Sequence, residues 1–193
     1  DLESRTPLFW SPDSAFIGYG SRKKLWRVPA VGGQSIAVCD IPGNGEIVGG
    51  DWGADGSIVI AVWRGGLQRV SVSSGTTTAL LEPDPATQVD FHFPTFLPDG
   101  KVLFITHWVD NRGGDGRPRP LLHVLERGEV RPVTGVDVSD ESWLVADGER
   151  LLFLRREPTA GWSCASSRDE PARRRCRART RASSSSRSKG LGK

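Results

Sequence analysis

Three nearly continuous apolar runs dominate the hydrophobic pattern of the first 156 residues of the chain. They are SIVIAVW at 57–63, KVLFITHW at 101–108 and RLLFLRR at 150–156. We predict β-strands, because these runs are rich in β-branched and aromatic residues and are too short for independent helices. Successive side chains of a strand point to opposite faces, so apolar residues at nearly every position predict that both faces are buried. No segment of this region has the sustained apolar spacing of three and four that an amphipathic helix requires.

The predicted strands belong to a unit that recurs along the chain. Its first landmark is a turn aspartate, which recurs at intervals of 42, 44 and 48 residues as Asp13, Asp55, Asp99 and Asp147. Its second landmark reads LWRV at 25–28, LQRV at 67–70 and LLHV at 121–124. The second landmark follows the turn aspartate by 12, 12 and 22 residues, so the third unit contains an insertion of ten residues. The glycines, prolines and charges of residues 110–119 predict that this insertion is a surface loop.

A repeat of roughly 40 to 45 residues with four short strands has the period of a β-propeller blade. We therefore predict an all-β fold in which residues 1–156 form about three and a half blades. The predicted blades cover residues 7–40, 48–83 and 92–134, and a half blade covers 141–156. A β-sandwich also contains short alternating strands. It does not explain why an aromatic residue or leucine precedes each turn aspartate by three residues.

The repeated units resemble those of the TolB family of β-propellers, whose turn reads [Trp/Phe]-Ser-Pro-Asp-Gly. WSPDS at 10–14 and FLPDG at 96–100 match this turn well, whereas WGADG at 52–56 and LVADG at 144–148 match it more loosely. LWRVPAVGG, LQRVSVSSG and FPTFLPDGKVLFIT are also similar to propellers at the C-terminal, extracytoplasmic end of bacterial serine/threonine kinases. This resemblance implies a ring of six or more blades and an extracytoplasmic location. The chain itself has no kinase Gly-rich loop, His-Arg-Asp or Asp-Phe-Gly motif.

Residues 157–193 differ in composition from the repeats and are interpreted as a low-complexity basic tail. They contain 10 Lys and Arg residues against 3 acidic residues, and they begin where a further strand should follow. Our favoured interpretation is a shifted reading frame, because wrong frames of GC-rich DNA yield Arg, Ala, Ser and Pro. The alternatives are an unfolded linker and a basic arm that contacts phosphates, and we expect no nucleic-acid partner. Since three and a half blades cannot close a ring, we expect the chain to be an interior fragment or to have artefactual ends.

Few residues in the sequence suggest catalytic chemistry. The histidines, His92, His107 and His123, have no second ligand at a spacing typical of metal sites, and those at 107 and 123 are predicted to be packed within apolar strands. We therefore predict no metal, no cofactor and no enzymatic activity in this chain, which also lacks the Gly-x-Ser-x-Gly motif of serine hydrolases. Cys39 is predicted to be a small buried thiol, and the three cysteines indicate no disulfide framework.

The repeated glycines and turn aspartates are given structural roles. Gly49-Gly50 and Gly65-Gly66 match no phosphate-binding motif and are interpreted as turn residues. The four turn aspartates are predicted to hydrogen-bond their own backbone, which is the usual role of aspartate at a repeated turn.

Strand order predicts one surface at which a ligand could bind. In a four-stranded antiparallel blade, the connections between blades and the loops between second and third strands lie at the same end, which we call the loop end. Loops held on a rigid scaffold commonly carry function. We predict that a protein or small-molecule ligand binds there, with the candidate residues Arg112, Asp115, Arg117, Arg119, Asp90 and Glu46. A solvated charged rim is the simpler interpretation of the same residues.

Two functions fit these observations. One is a non-catalytic recognition or sensing module, such as the outer domain of a receptor-type kinase, whose other partners are the remaining blades of the propeller. The other is the substrate-gating propeller of a prolyl-oligopeptidase-like serine hydrolase whose catalytic domain lies elsewhere. No signal peptide or membrane-spanning stretch occurs in the sequence, so the extracytoplasmic location rests on the resemblance alone.

Overall fold

The computed structural model describes residues 7–110 and 121–136, together with the backbone of three further strands. The strands of the first two blades are β1 (Leu8–Trp10), β2 (Phe16–Ser21), β3 (Lys24–Pro29), β4 (Ile36–Asp40), β5 (Ile47–Trp52), β6 (Ser57–Val62), β7 (Leu67–Ser71) and β8 (Thr77–Leu81). The third blade contains β9 (Gln88–Phe96), β10 (Val102–Trp108), β11 (Leu122–Glu126) and β12 (Glu129–Pro132). The remaining strands are β13 (Trp143–Asp147), β14 (Arg150–Glu157) and β15 (Gly161–Ser166).

Each blade is an antiparallel sheet in which consecutive strands are neighbours. The strand orders are β1-β2-β3-β4, β5-β6-β7-β8 and β9-β10-β11-β12, and the last sheet has the order β13-β14-β15. The first strands of successive sheets also lie side by side, since β1 contacts β5, β5 contacts β9 and β9 contacts β13. Sheets that meet through their first strands around a common centre form a β-propeller. The predicted all-β partial propeller is therefore confirmed.

The core lies between the blades. In β6 every residue is buried, and alternate side chains enter different apolar clusters. Ile58, Ile60 and Val62 pack towards the first blade, in a cluster with Phe9 and other residues. Val59 and Ala61 pack towards the third blade, in the cluster that contains Phe91, Val102 and Phe104. The apolar run at 57–63 is continuous because neighbouring sheets cover both faces of this strand.

The glycine pair in β5 has a different role from the predicted one. Gly49 and Gly50 pair with Ala61 and Ile60 inside the strand, so their interpretation as turn residues is wrong. A Cβ atom at Gly49 would lie 2.6 Å from the backbone nitrogen of Phe93, which belongs to the next blade. These glycines therefore permit the close approach of first strands at the centre of the propeller.

The repeated turns contain a recurrent aspartate geometry. The carboxylates of Asp13, Asp55 and Asp99 each accept a hydrogen bond from the backbone N–H two residues further on, at 3.0, 3.0 and 3.2 Å. Gly56 and Gly100 follow the aspartate with φ angles of +78° and +82°. For Asp147, the structure describes the backbone at the end of β13, where the residue pairs with Arg150.

Some strands extend beyond the predicted blade limits. The second and third blades begin at Ile47 and Gln88, slightly earlier than expected. Strand β15 lies within 157–193, so the predicted boundary at residue 156 does not coincide with the end of the strands. Among the described residues, no helix has the length and apolar character needed to cross a membrane.

Candidate functional site

The pairing of β9 with β10 gathers three ionisable side chains at the loop end of the third blade. His107 pairs directly with Asp90 across the two strands. His92 follows Asp90 by two positions along β9. Side chains at i and i+2 of a strand share a face, and so do directly opposed residues. Oδ1 of Asp90 consequently lies 2.9 Å from Nε2 of His92 and 3.2 Å from Nδ1 of His107.

A neighbouring blade holds the carboxylate of Asp90 in position. Its second oxygen, Oδ2, accepts a hydrogen bond of 2.9 Å from the backbone N–H of Arg64, in the loop between β6 and β7. The Asp90 side chain is fully buried, whereas the side chains of His92 and His107 are 14% and 31% exposed. Burial by itself would raise the pKa of Asp90, but the hydrogen bonds from His92 and Arg64 and the nearby imidazoles lower it below its ordinary value. The site therefore has a buried anion beneath two partly exposed imidazoles.

Aromatic rings surround His92. Its ring centroid lies 6.3 Å from that of Trp63, 5.8 Å from that of Phe93 and 5.4 Å from that of His107. Phe93 has a φ of +49°, in the left-handed region that bulky residues rarely adopt. The register of β9 against β10 shifts by one residue in this part of the strand, so Phe93 marks a β-bulge. Bulges commonly redirect side chains near functional sites.

The structure describes two of the six predicted ligand-binding residues, Asp90 and Glu46. Asp90 is the buried centre of this cluster. Glu46 lies in the preceding blade connection with its side chain exposed, and its carbonyl accepts a hydrogen bond of 2.9 Å from the backbone N–H of Trp63. The guanidinium of Arg64 lies 5.9 Å from the Trp63 ring centroid. The other four candidates fall outside the described residues, namely Arg112, Asp115, Arg117 and Arg119.

The grouping of two histidines with Asp90 differs from the prediction that the histidines have no second ligand. That prediction depends on spacing along the chain, whereas Asp90 and His107 are 17 residues apart and meet only through strand pairing. Pairing β9 with β10 through the Asp99-Gly100 turn would have brought these segments together. A regular hairpin without a bulge, however, would set His107 opposite Phe91. Only the observed register sets His107 opposite Asp90.

His123 lies apart from this cluster. Its side chain is buried beside Phe104, whose ring centroid is 5.8 Å from that of the imidazole. Nδ1 lies 2.9 Å from Oγ1 of Thr106, and burial lowers the pKa of His123 below its ordinary value. These contacts are those of a packed, neutral histidine.

A groove of about 370 Å³ lies at the opposite end of the second and third blades, where the turn aspartates are. Its lining includes Asp51, Asp55, Arg69 and Phe96. Asp51 accepts hydrogen bonds from the backbone N–H groups of Phe96, at 2.8 Å, and of Trp52, at 2.9 Å. Asp55 forms an ion pair with Arg69. The polar groups of the groove thus serve to join two blades and to shape a turn.

No protein-family model matches the chain, and no curated protein matches it either. Among solved structures, a TolB protein from Agrobacterium tumefaciens matches 83% of this chain with a TM-score of 0.57 and 16% identity. Puromycin hydrolase matches 83% of the chain with a TM-score of 0.54 and 18% identity. The extracellular domain of a hybrid two-component system from B. thetaiotaomicron matches 89% with a TM-score of 0.53 and 14% identity.

These likenesses concern the fold. The chain spans 57% of the TolB structure, 26% of puromycin hydrolase and 22% of the two-component protein. The TolB and hydrolase structures both contain β-propellers, although the two proteins differ in function. Together with the sheet topology, the comparisons identify the fold of this chain as that of a β-propeller.

Proposed function

We propose that this chain is part of a non-catalytic β-propeller that recognises a ligand at the loop end of its second and third blades. The observation that carries the proposal is the convergence of Trp63, Arg64, His92 and His107 around the buried Asp90. Aromatic rings, a guanidinium and imidazoles are groups that bind polar ligands on a rigid scaffold. The inserted loop with Arg112, Arg117 and Arg119 follows β10, whose last residues include His107.

Replacement of the loop arginines tests this proposal. The triple variant Arg112→Ala, Arg117→Ala, Arg119→Ala is compared with a control triple, Lys101→Ala, Arg127→Ala, Arg131→Ala. Lys101 and Arg127 lie at the turns of the opposite end, and Arg131 lies within β12. The probes are acidic peptides, basic peptides and anionic oligosaccharides of defined composition, and binding is measured by calorimetry. We expect the loop variant to bind at least one probe about tenfold more weakly and the control variant to bind like the wild type. Equal affinities of all three proteins for every probe would refute recognition by this end.

For the parent protein, we propose an extracytoplasmic sensor such as a receptor-type kinase. The likeness to the extracellular domain of a two-component system supports a sensor at the level of fold. The likeness to puromycin hydrolase supports the second candidate, a substrate-gating propeller of a serine hydrolase. Sequencing the coding DNA on both sides distinguishes them. A kinase signature followed by an apolar stretch of about 20 residues upstream supports the sensor. A Gly-x-Ser-x-Gly motif downstream supports the hydrolase.

A further inference from the structure

The distances within the cluster of Asp90, His92 and His107 match those of a metal site. One ligand atom from each residue, a carboxylate oxygen or an imidazole nitrogen, lies within 4.8 Å of the other two. Two donors bound side by side to an ion at about 2.1 Å are about 3.0 Å apart at a right angle and about 3.4 Å apart at the tetrahedral angle. The observed separations of Asp90 Oδ1 from the two imidazole nitrogens are 2.9 and 3.2 Å. An ion can therefore bind with small movements of the side chains.

We infer that Asp90, His92 and His107 bind a divalent first-row transition-metal ion. Two imidazoles and one carboxylate are a donor set that suits zinc, iron, cobalt or manganese, and hard ions such as calcium favour oxygen donors instead. Three protein ligands leave at least one coordination position open. Because Asp90 is buried and the two histidines are partly exposed, the open position faces the loop end.

The surroundings of the three side chains fix the donors in place. The N–H of Arg64 occupies Oδ2 of Asp90 and leaves Oδ1 turned towards both rings. Such second-layer hydrogen bonds orient metal-binding carboxylates in known sites. The rings of Trp63 and Phe93 limit the rotation of the His92 side chain. A site that is already ordered loses less conformational entropy when the ion binds.

The proposed metal site extends the proposed recognition function. Only the role of its open coordination position rests on that function. An ion with an open position at the loop end would coordinate an oxygen or nitrogen atom of the ligand that this end binds. Binding of the ion itself needs no ligand, so the two proposals can fail separately.

Calorimetric titration of the full chain with ZnCl₂ alone, and with CoCl₂ followed by visible absorption, tests the inference. Free thiolates also bind zinc. All proteins in this experiment therefore carry serine in place of the three cysteines, Cys39, Cys164 and Cys176. We expect one ion per chain and a loss of affinity of at least a hundredfold in His92→Ala and in His107→Ala. His123→Gln is the matched control and should bind like the parent protein.

A second measurement keeps the inference falsifiable where an alanine variant fails to fold. His107→Gln retains a polar side chain, and its thermal midpoint is measured with and without zinc beside that of the parent protein. A bound ion stabilises the folded state in proportion to the logarithm of its concentration above Kd. We expect zinc to raise the midpoint of the parent protein and not that of His107→Gln. No saturable binding up to millimolar zinc, or equal binding by the parent protein and the histidine variants, would overturn the site. If no zinc binds but the peptide or oligosaccharide probes still bind, the metal site is refuted and the recognition function is not.

Discussion

Replacing Gly49 with alanine tests the central packing of the propeller. A Cβ atom at this position would lie 2.6 Å from the nitrogen of Phe93, 2.7 Å from its Cα and 2.7 Å from Cδ of Pro94. Ordinary contacts of a Cβ atom begin at 3.4 Å, so the methyl group is too close by about 0.7–0.8 Å. Two of the three atoms belong to the backbone of β9, which cannot rotate away as a side chain would.

The expected effect is a loss of about 2 kcal/mol in the free energy of unfolding. Overpacking of a dense interior costs roughly 1–3 kcal/mol. The upper end of this range applies to Gly49, because two of the contacted atoms belong to the backbone. Alanine in place of a strand glycine gains roughly 0.5–1 kcal/mol from the unfolded state, which offsets part of this cost. The close contact thus reverses the sign of the change in the free energy of unfolding. Replacing a strand glycine that has free space around it with alanine would stabilise the protein.

Urea denaturation followed by tryptophan fluorescence measures this change, since the chain contains seven tryptophans and Trp52 is buried. Gly56→Ala serves as a contrasting variant, because its φ is +78° and a Cβ atom there would meet nothing within 4 Å. It has the cost of a left-handed backbone, about 1 kcal/mol, without any close contact. If Gly49→Ala left the stability unchanged or increased it, the close approach of β5 to β9 would be refuted.

Three further substitutions test the turns, the blade contacts and a buried histidine. Ser14 occupies the glycine position of its turn with a φ of +58°. Ser14→Gly should therefore raise the free energy of unfolding by about 1 kcal/mol, whereas Ser14→Ala should not. Equal urea midpoints of the two variants would contradict this. Asp51→Ala leaves the N–H groups of Phe96 and Trp52 without this acceptor and should cost about 1–3 kcal/mol. Asp40→Ala, which removes an exposed ion pair, should cost less than about 1 kcal/mol, and similar losses in the two variants would argue against the blade contact. Burial lowers the pKa of folded His123 below the ordinary 6.5, so the unfolded chain binds more protons as the pH falls through 6.5. Stability should therefore decrease from pH 7 to pH 5, and urea midpoints of His123→Gln should decrease less; identical slopes would refute a neutral buried imidazole.

Much of the architecture follows from local sequence patterns. The run at 57–63 identifies β6 because consecutive apolar side chains suit a strand covered on both faces, and the structure buries all of β6. The Asp-Gly turns identify hairpins because glycine adopts positive φ without strain, as Gly56 and Gly100 do. Neither inference needs knowledge of distant residues, since each depends on a few neighbours in the chain.

The glycines of β5 illustrate where local reasoning fails. A glycine pair in a sequence is most simply interpreted as a turn, because turns are where isolated glycines are common. Gly49 is instead required by the backbone of Phe93 in the next blade. That requirement arises only when two blades pack at the centre of the propeller, and the residues involved are far apart in the sequence.

The repeat, the strand type of its apolar runs and the positions of its turns can be predicted from the sequence, because each depends on short-range periodicity. Which side chains meet at the loop end depends instead on how distant segments of the chain pack. From the turn at Asp99-Gly100, regular pairing would set His107 opposite Phe91, but the bulge at Phe93 shifts the register by one residue and sets it opposite Asp90. A shift of one residue exchanges the faces of a strand. The cluster of Asp90, His92 and His107 therefore depends on a strained backbone conformation that packing maintains and that no sequence spacing predicts.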